Sequence, residues 1–320
     1  MTINLENIKA AGQRLTDRIV RTPLLELSNS KILTFLPNNC RVKMKLELFQ
    51  HAGSFKARGV TLALDALTEK EKKQGVVTFS GGNHALAVSW GAKKEMINAK
   101  VCMPETADPF KIEGCKSLGS EVLLFKDSFQ AFDQMTEISE KENRKILPPF
   151  NSEYMILGSS TCGLEIMDDF KDLDVAIVPV GGGGLISGIA AAIKSVNPRA
   201  IVYGVEPTGA DSMYRSFQEA KPVKLDKINT VADSLGAPMA MDYSFNIAQK
   251  YVDAIVRITD DEIISSMELM RDRLNFIVEP ACAVSLAGLT GPLSEMVAGK
   301  SVALIACGSN ISVDRYSKLL

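Results

Sequence analysis

The chain has 320 residues, 46% hydrophobic and 23% charged, with 36 basic against 38 acidic side chains and a formal charge of −2. That length exceeds most single compact domains, so two lobes are expected. A near-neutral balance without like-charge runs gives neither nucleic acid nor a membrane surface an electrostatic hold.

No apolar stretch reaches the roughly 18–20 residues of a membrane span. The six cysteines (Cys40, Cys102, Cys115, Cys162, Cys282, Cys307) are scattered without a C-x-x-C, and there are only two histidines. They read as reduced thiols, not as a disulfide frame or a zinc site.

In chain order, MTINLENIKAAGQRLTDRIV (1–20) lacks the basic-then-apolar order of a secretory signal. It reads as an amphipathic helix with Ile8, Leu15 and Ile19 near one face. Glu6 and Asp17 count against an Arg-rich targeting helix, so a cytoplasmic address is expected. RVKMKLEL (41–48) follows as a strand. HAGSFKARGV (51–60) then sets Lys56 against Phe55 among small, flexible residues. Two readings stand at this point: a helix start with Ser54 as N-cap and the lysine in water, or an amine held in a site as a nucleophile.

Further strands are expected at GVVTFS (75–80), NAKVCM (98–103), SEVLLF (120–125), DVAIVPV (174–180), AIVYGVE (200–206) and SVALIAC (301–307). The later runs are nearly unbroken Val, Ile and Ala, as in strands covered on both faces. Helix-length segments at 83–95, 108–118, 128–143, 184–196 and 261–273 alternate with them, which predicts an α/β fold of parallel-rich twisted sheets covered by helices. Pro148-Pro149 breaks the pattern and marks a crossing between lobes. The division expected is a large lobe of 1–74 and 148–320 and a small lobe of 75–147.

VPVGGGGLISGIAAAI (178–193) ends a buried-type strand on four glycines, Gly181, Gly182, Gly183 and Gly184, and opens a helix near Leu185. Bare backbone N–H groups at a helix N-terminus suit a phosphate. The run fits neither G-x-G-x-x-G nor the G-K-[ST] end of a nucleotide loop, so a dinucleotide or nucleoside triphosphate has little support. A reactive lysine together with a phosphate cradle points to pyridoxal 5'-phosphate, whose aldehyde, phosphate and ring nitrogen each need a partner.

With these motifs in view the chain resembles the fold-type-II, tryptophan-synthase-β-like pyridoxal-phosphate enzymes, and among them the serine/threonine dehydratases and serine racemases. The resemblance runs from RIVRTPLLEL (18–27) through GSFKARG, SGGNHA (80–85), GSSTCGLEI (158–166), the glycine run, GVEPTGADSM (204–213), TVADSL (230–235) and EPACAVSLAG (279–288) to CGSNIS (307–312). It implies that Lys56 carries the cofactor as a Schiff base and then removes the substrate's Cα proton, and that Phe55 packs on the cofactor ring. It implies that Asn83 bonds the ring hydroxyl and that Gly181 to Gly184 with the Leu185 amide hold the phosphate. The loop Ser80, Gly81, Gly82, Asn83 and His84 would take the substrate carboxylate, with His84 a loop-shaping or substrate-contact residue and not the base.

Cys307 falls where most relatives place the serine that faces the ring nitrogen. A neutral thiol there does little to keep the ring protonated, so charge developing at Cα is relieved by expelling a β-substituent. The expected reaction is β-elimination of a small β-hydroxy amino acid, L-threonine or L-serine first, to a 2-oxo acid and ammonia, with the cofactor phosphate as the implied proton donor. Gly81 stands where serine racemases carry a second serine, and Phe150 where dehydratases often have Phe; both favour a lyase. Ser159 departs from the Gln of many relatives, which leaves substrate contacts near it open.

The racemase-type divalent site is matched at Glu206 and Ala210, but Ser212 replaces its Asp, so no metal is expected; a helix-start role for Glu206 and Asp211 is the competing reading. A dehydratase for 3-hydroxyaspartate, served by Arg58 or Arg215, a serine racemase and a non-catalytic pyridoxal-phosphate carrier remain as alternatives. The resemblance also implies a homodimer. The chain stops soon after CGSN, so no appended regulatory domain and no feedback control are expected.

Overall fold

The computed structural model describes residues 3–320. Ten strands form two sheets: β1 (Leu24–Glu26), β2 (Arg41–Lys45), β3 (Val76–Phe79), β4 (Ala99–Pro104), β5 (Glu121–Phe125), β6 (Lys145–Ile146), β7 (Val175–Pro179), β8 (Ile201–Pro207), β9 (Ala254–Ile258) and β10 (Ser301–Ile305). The six-stranded sheet has the order β1-β2-β10-β7-β8-β9 and the four-stranded sheet the order β5-β4-β3-β6. Every pairing is parallel except β1 with β2, with Leu304 opposite Met44 on one side and Ile177 on the other.

Position in the sheet accounts for the sequence patterns. All five residues of β7 are buried, as are all but the first of β8 and of β10. These are interior strands with helices on both faces, hence their uninterrupted apolar runs. The edges are short or mixed: β1 has three residues and β6 two, and β5 and β9 carry exposed positions. Short edges leave little template for a foreign strand. These elements also explain why β1, β6 and β9 leave no clear trace in the sequence, since each lacks either length or a clean period.

The expected strand at 41–48 is shorter than its pattern. β2 ends at Lys45 and a 3₁₀ turn spans Glu47–Phe49. Lys45 and Glu47 are fully buried because they belong to an ionic cluster. The Arg58 guanidinium bonds Glu47 at 2.7 and 2.8 Å and Glu165 at 2.7 and 2.9 Å, and Lys45 reaches Glu165. Burial works against the Glu165 carboxylate, yet the Arg58 hydrogen bond and charge hold it below its usual range. A buried charge needs such pairing to be tolerated at all.

The helix Glu153–Asp169 carries glycine and hydroxyl residues that favour no helix, and packing overrides that preference. A Cβ on Gly158 would stand 2.3 Å from the Gly59 backbone nitrogen, so only glycine lets this helix touch the helix Lys56–Asp65. The Ser159 and Ser160 hydroxyls bond carbonyls four residues back at 2.9 and 2.7 Å, so neither hydroxyl is stranded. Its other neighbour, the helix Gly184–Val196, buries Ile186, Ile189 and Ile193 completely. Each such side chain contributes about 1.5–3 kcal/mol of hydrophobic stabilisation. These three helices together set the position of Lys56 relative to the glycine run.

The first helix, Leu5–Leu15, buries Ile8 and Leu15 on one face, with Ile19 packed at the edge of the same cluster. Among the described residues no helix is long and apolar enough to cross a membrane.

Candidate active site

Lys56 opens the helix Lys56–Asp65, and the turn before it is stitched to the end of β10. Phe55 N–H donates to the Cys307 carbonyl at 3.1 Å, and Ser54 bridges Gly308. The N-cap is therefore Phe55 and not Ser54, whose buried hydroxyl has no partner among the described residues. This corrects the reading of a serine-capped helix start with its lysine in water. The Lys56 amine is partly buried and donates to the carbonyl of Pro149, on the crossing between the sheets. It lies 5.0 Å from the centre of the Phe55 ring. Burial lowers its pKa to about 8, with Cys307 opposing. An amine so placed is a usable base and nucleophile near neutral pH.

Cys307 is 3% exposed. Burial, then the nearby Cys282 and Glu279, push its thiol well above the ordinary range. The thiol therefore stays neutral, as the elimination argument requires.

The glycine run is built partly by its own neighbours. A Cβ on Gly182 would stand 2.3 Å from Cγ of Phe150, and Gly183 has φ +84°. The half-buried ring of Phe150 therefore rests on the loop at Gly182, while its backbone and Cβ lie beside Gly184. Ser244 pins the loop from below, its hydroxyl donating to the Gly182 carbonyl at 2.9 Å. No protein acceptor takes the amide N–H of Gly181, Gly182 or Gly183 among the described residues. These free donors precede the N-terminus of a 13-residue helix, in which Leu185 is buried. Such an arrangement accepts a phosphate, and with Lys56 and Cys307 it fits pyridoxal phosphate.

The Ser80–His84 loop follows β3 and opens the helix Asn83–Lys94. Gly82 N–H donates to the Ser80 hydroxyl at 3.1 Å, which curls the loop ahead of the helix N-terminus. His84 lies beneath it, fully buried, with Nε2 2.9 Å from the Leu147 carbonyl. A carbonyl only accepts, so Nε2 carries the proton and Nδ1 is a bare acceptor without a partner among the described residues. Burial and the Lys56 charge bring its pKa down to about 3, so it is neutral and has no proton to exchange near neutral pH.

Asn83 shows what sequence reasoning missed. Its amide is gripped at both ends: Nδ2 donates to Glu279 Oε1, and Oδ1 accepts from Asn310 Nδ2 at 2.8 Å. Glu279 is 1% exposed and also receives the Ser234 hydroxyl at 3.0 Å. A Cβ on Gly308 would stand 2.5 Å from Glu279 Oε1, so this carboxylate sits directly behind Cys307-Gly308. Its signal in the sequence was its isolation, as the one charged residue in EPACAVSLAG.

Several candidates lie apart. Arg58 is wholly engaged by Glu47 and Glu165 and is not free to meet a second substrate carboxylate, whereas Arg215, half-exposed, spends only its Nε on Asp211 at 2.8 Å. Ser159 is 1% exposed and spends its hydroxyl on Met155. Glu206 is fully buried and accepts the N–H groups of Met213 at 3.0 Å and Tyr214 at 2.7 Å, at the start of the helix Ser212–Glu219. Ala210 ends the 3₁₀ turn beside it. Asp211 pairs with Arg257 at 2.9 Å. Among the described residues no three His, Cys, Asp or Glu side chains gather as a metal site would require.

An electrophile-ready amine, an anion cradle at a helix N-terminus and a neutral partner at the end of a central strand define a phosphorylated-aldehyde-dependent α/β enzyme. The chain belongs to the family described as pyridoxal-phosphate dependent enzymes, which matches residues 15–308, and within it to the serine/threonine dehydratase and serine racemase group. It is 41% identical to a phenylserine dehydratase of Ralstonia pickettii over 99% of this chain and 96% of that one. It is 36% identical to an L-threonine ammonia-lyase of Thermotoga maritima, covering 99% of this chain and 78% of that one. The solved structure of maize serine racemase superposes with a TM-score of 0.92 at 31% identity, over 98% of this chain and 96% of the other. The tryptophan-synthase-β-like fold and the pyridoxal phosphate cofactor follow from that membership.

Proposed function

We propose that the protein is an ammonia-lyase that dehydrates and deaminates a small β-hydroxy amino acid, with L-threonine and L-serine as its first substrates. The observation that carries this reading is the Lys56 amine, lowered to about 8 by burial beside a thiol that burial keeps neutral. When bound, pyridoxal phosphate supplies an aldehyde for imine chemistry and a ring that withdraws electrons from Cα. The chain supplies the rest. Lys56 accepts the Cα proton, and the Gly181–Gly184 N–H groups with the Leu185 amide hold the phosphate. Phe55 and Asn83 orient the ring, while the Ser80–His84 loop orients the substrate carboxylate beneath Phe150.

Cys307 gives the ring nitrogen no proton, which favours loss of the β-hydroxyl over reactions that need a protonated ring. Gly81 offers no hydroxyl to return a proton on the opposite face of Cα, which favours a lyase over a racemase. The two-lobed division at 75–147 belongs to the same reading, supported by a four-stranded sheet that draws every strand from residues 76–146.

One observation favours a second reading, a bulkier β-substituent. Gly81 leaves free the space a Cβ would fill, 3.4 Å from Ala107 and Pro104. The relative at 41% identity acts on an aryl substrate by its name. The test is a panel of L- and D-threonine, serine, phenylserine and 3-hydroxyaspartate, scored for ammonia and 2-oxo acid. Turnover of an L-β-hydroxy amino acid supports the proposal, and the better substrate selects between the two readings. D-serine formed from L-serine without 2-oxo acid overturns it.

A further inference from the structure

Lys111 lies on the helix Pro109–Ser117, beside the four-stranded sheet, and only 1% of its surface is exposed. A lysine is rarely buried to this extent without counter-charge. Its counter-charges come from the turn Asp233–Leu235 and from the N-cap of the helix Pro280–Thr290: Asp233 at 3.0 Å and Glu279 at 3.7 Å, with the Ser234 hydroxyl at 3.5 Å. It also abuts the substrate loop, because a Cβ on Gly82 would lie 4.0 Å from Lys111 Nζ.

We propose that Lys111 is a positioning residue for the elimination: it bridges the two sheets to Glu279 and, through that carboxylate, fixes the Asn83 amide toward the cofactor. The inference rests on the function proposed above and extends its site to the helix Pro109–Ser117. An ionised Glu279 can only accept, so it dictates that Asn83 turns its NH₂ toward Oε1 and its carbonyl toward Asn310. Burial pushes the Glu279 pKa up, and Lys111 is the largest influence opposing it. Without the ammonium the buried carboxylate loses its chief counter-charge, takes up a proton more readily, and its hold on the orientation of the amide weakens.

The remaining charges do not replace Lys111. Arg315 touches Asp108 at 3.4 Å and Asp233 at 3.2 Å, and among the described residues no ion pair or hydrogen bond joins it to Glu279. Arg315 is thus an internal control. It belongs to the same ionic cluster between the sheets but lies outside the route from Lys111 to Asn83.

The test uses the holoprotein with Lys111→Met, Lys111→Arg, Glu279→Gln and Arg315→Gln. Four quantities are read: the absorbance of the bound cofactor, its dissociation constant by fluorescence, kcat with KM, and the urea midpoint. Losing one charge-assisted contact in a chain of hydrogen bonds is expected to lower kcat about tenfold or more. Lys111→Met should do so, shift the cofactor band and weaken cofactor binding. Lys111→Arg should restore most of both. Glu279→Gln should shift the band in the same way, and Arg315→Gln should lower the urea midpoint without moving the band.

The proposal is overturned if Lys111→Met keeps the wild-type band and kcat, or if Arg315→Gln moves the band as far as Lys111→Met does. If Lys111→Met does not fold, an unshifted band in Glu279→Gln overturns it equally. Should the wild-type protein bind pyridoxal phosphate but turn over no hydroxy amino acid, the function fails, while the band and the dissociation constants still decide the role of Lys111.

Discussion

Replacing Gly182 by alanine would set a methyl group 2.3 Å from Cγ of Phe150 and 2.4 and 2.5 Å from its two Cδ atoms. Real carbon contacts do not come this close, so the ring or the loop must move. Such overpacking costs about 1–3 kcal/mol. Phe150→Ala alone removes a half-buried ring and costs roughly 2 kcal/mol, below the value for a fully buried phenylalanine. In the double variant the steric term has nothing to act on, so the pair should cost about as much as Phe150→Ala by itself. The coupling is then about 1–3 kcal/mol in the favourable direction, well above the scatter expected of independent sites. Urea unfolding of the cofactor-free protein reads these values directly, and fluorescence titration with pyridoxal phosphate reads the loss of affinity. Additive effects, or a Gly182→Ala protein as stable as wild type that fails only in cofactor binding, would refute the claim that Phe150 packing shapes this loop.

The buried ionic cluster gives a second expectation. Arg58→Leu leaves Glu47 and Glu165 without their guanidinium and should cost about 3–5 kcal/mol in urea unfolding; a loss under 1 kcal/mol would contradict it. The lowered Lys56 pKa sets a pH dependence. The amine is protonated below about 8 and free above it, so cofactor uptake by the cofactor-free protein should rise through neutral pH and level off just above 8. An uptake rate still climbing toward the usual lysine range would show that burial does not act on this amine. Gly81→Ser should introduce D-serine formation from L-serine at the expense of 2-oxo acid, read by chiral chromatography; an unchanged product ratio would remove Gly81 from the choice between lyase and racemase.

The legible parts of the molecule were those where local chemistry and global packing agree. The buried runs at 175–179, 201–207 and 301–305 show as strands because both faces are covered, and the glycines at 181–184 stand out because nothing larger fits. Lys56 could be singled out by its company, but the sequence left two readings, since its enclosure comes from Pro149 and Cys307, far away in the chain.

What escaped the sequence was created by tertiary contact. Glu279 acquires its importance only when β10, the Asn83 helix and the 230s loop converge on it. Lys111 carries no distinguishing neighbour in the sequence, and its burial comes from Asp233 and Glu279, far along the chain. The helix Glu153–Asp169 hides behind glycines and serines that pay off only where two other helices press against it. The charges of Lys45 and Glu47 gave no sign of burial, because their partners lie on two helices, Glu165 on Glu153–Asp169 and Arg58 on Lys56–Asp65.

The central claim is that one chain amine holds the cofactor. Borohydride reduction of the holoprotein, followed by proteolysis and mass mapping, should place a single pyridoxyl group on Lys56 within HAGSFKARGV. A label on any other side chain, or none after reduction, would contradict the account.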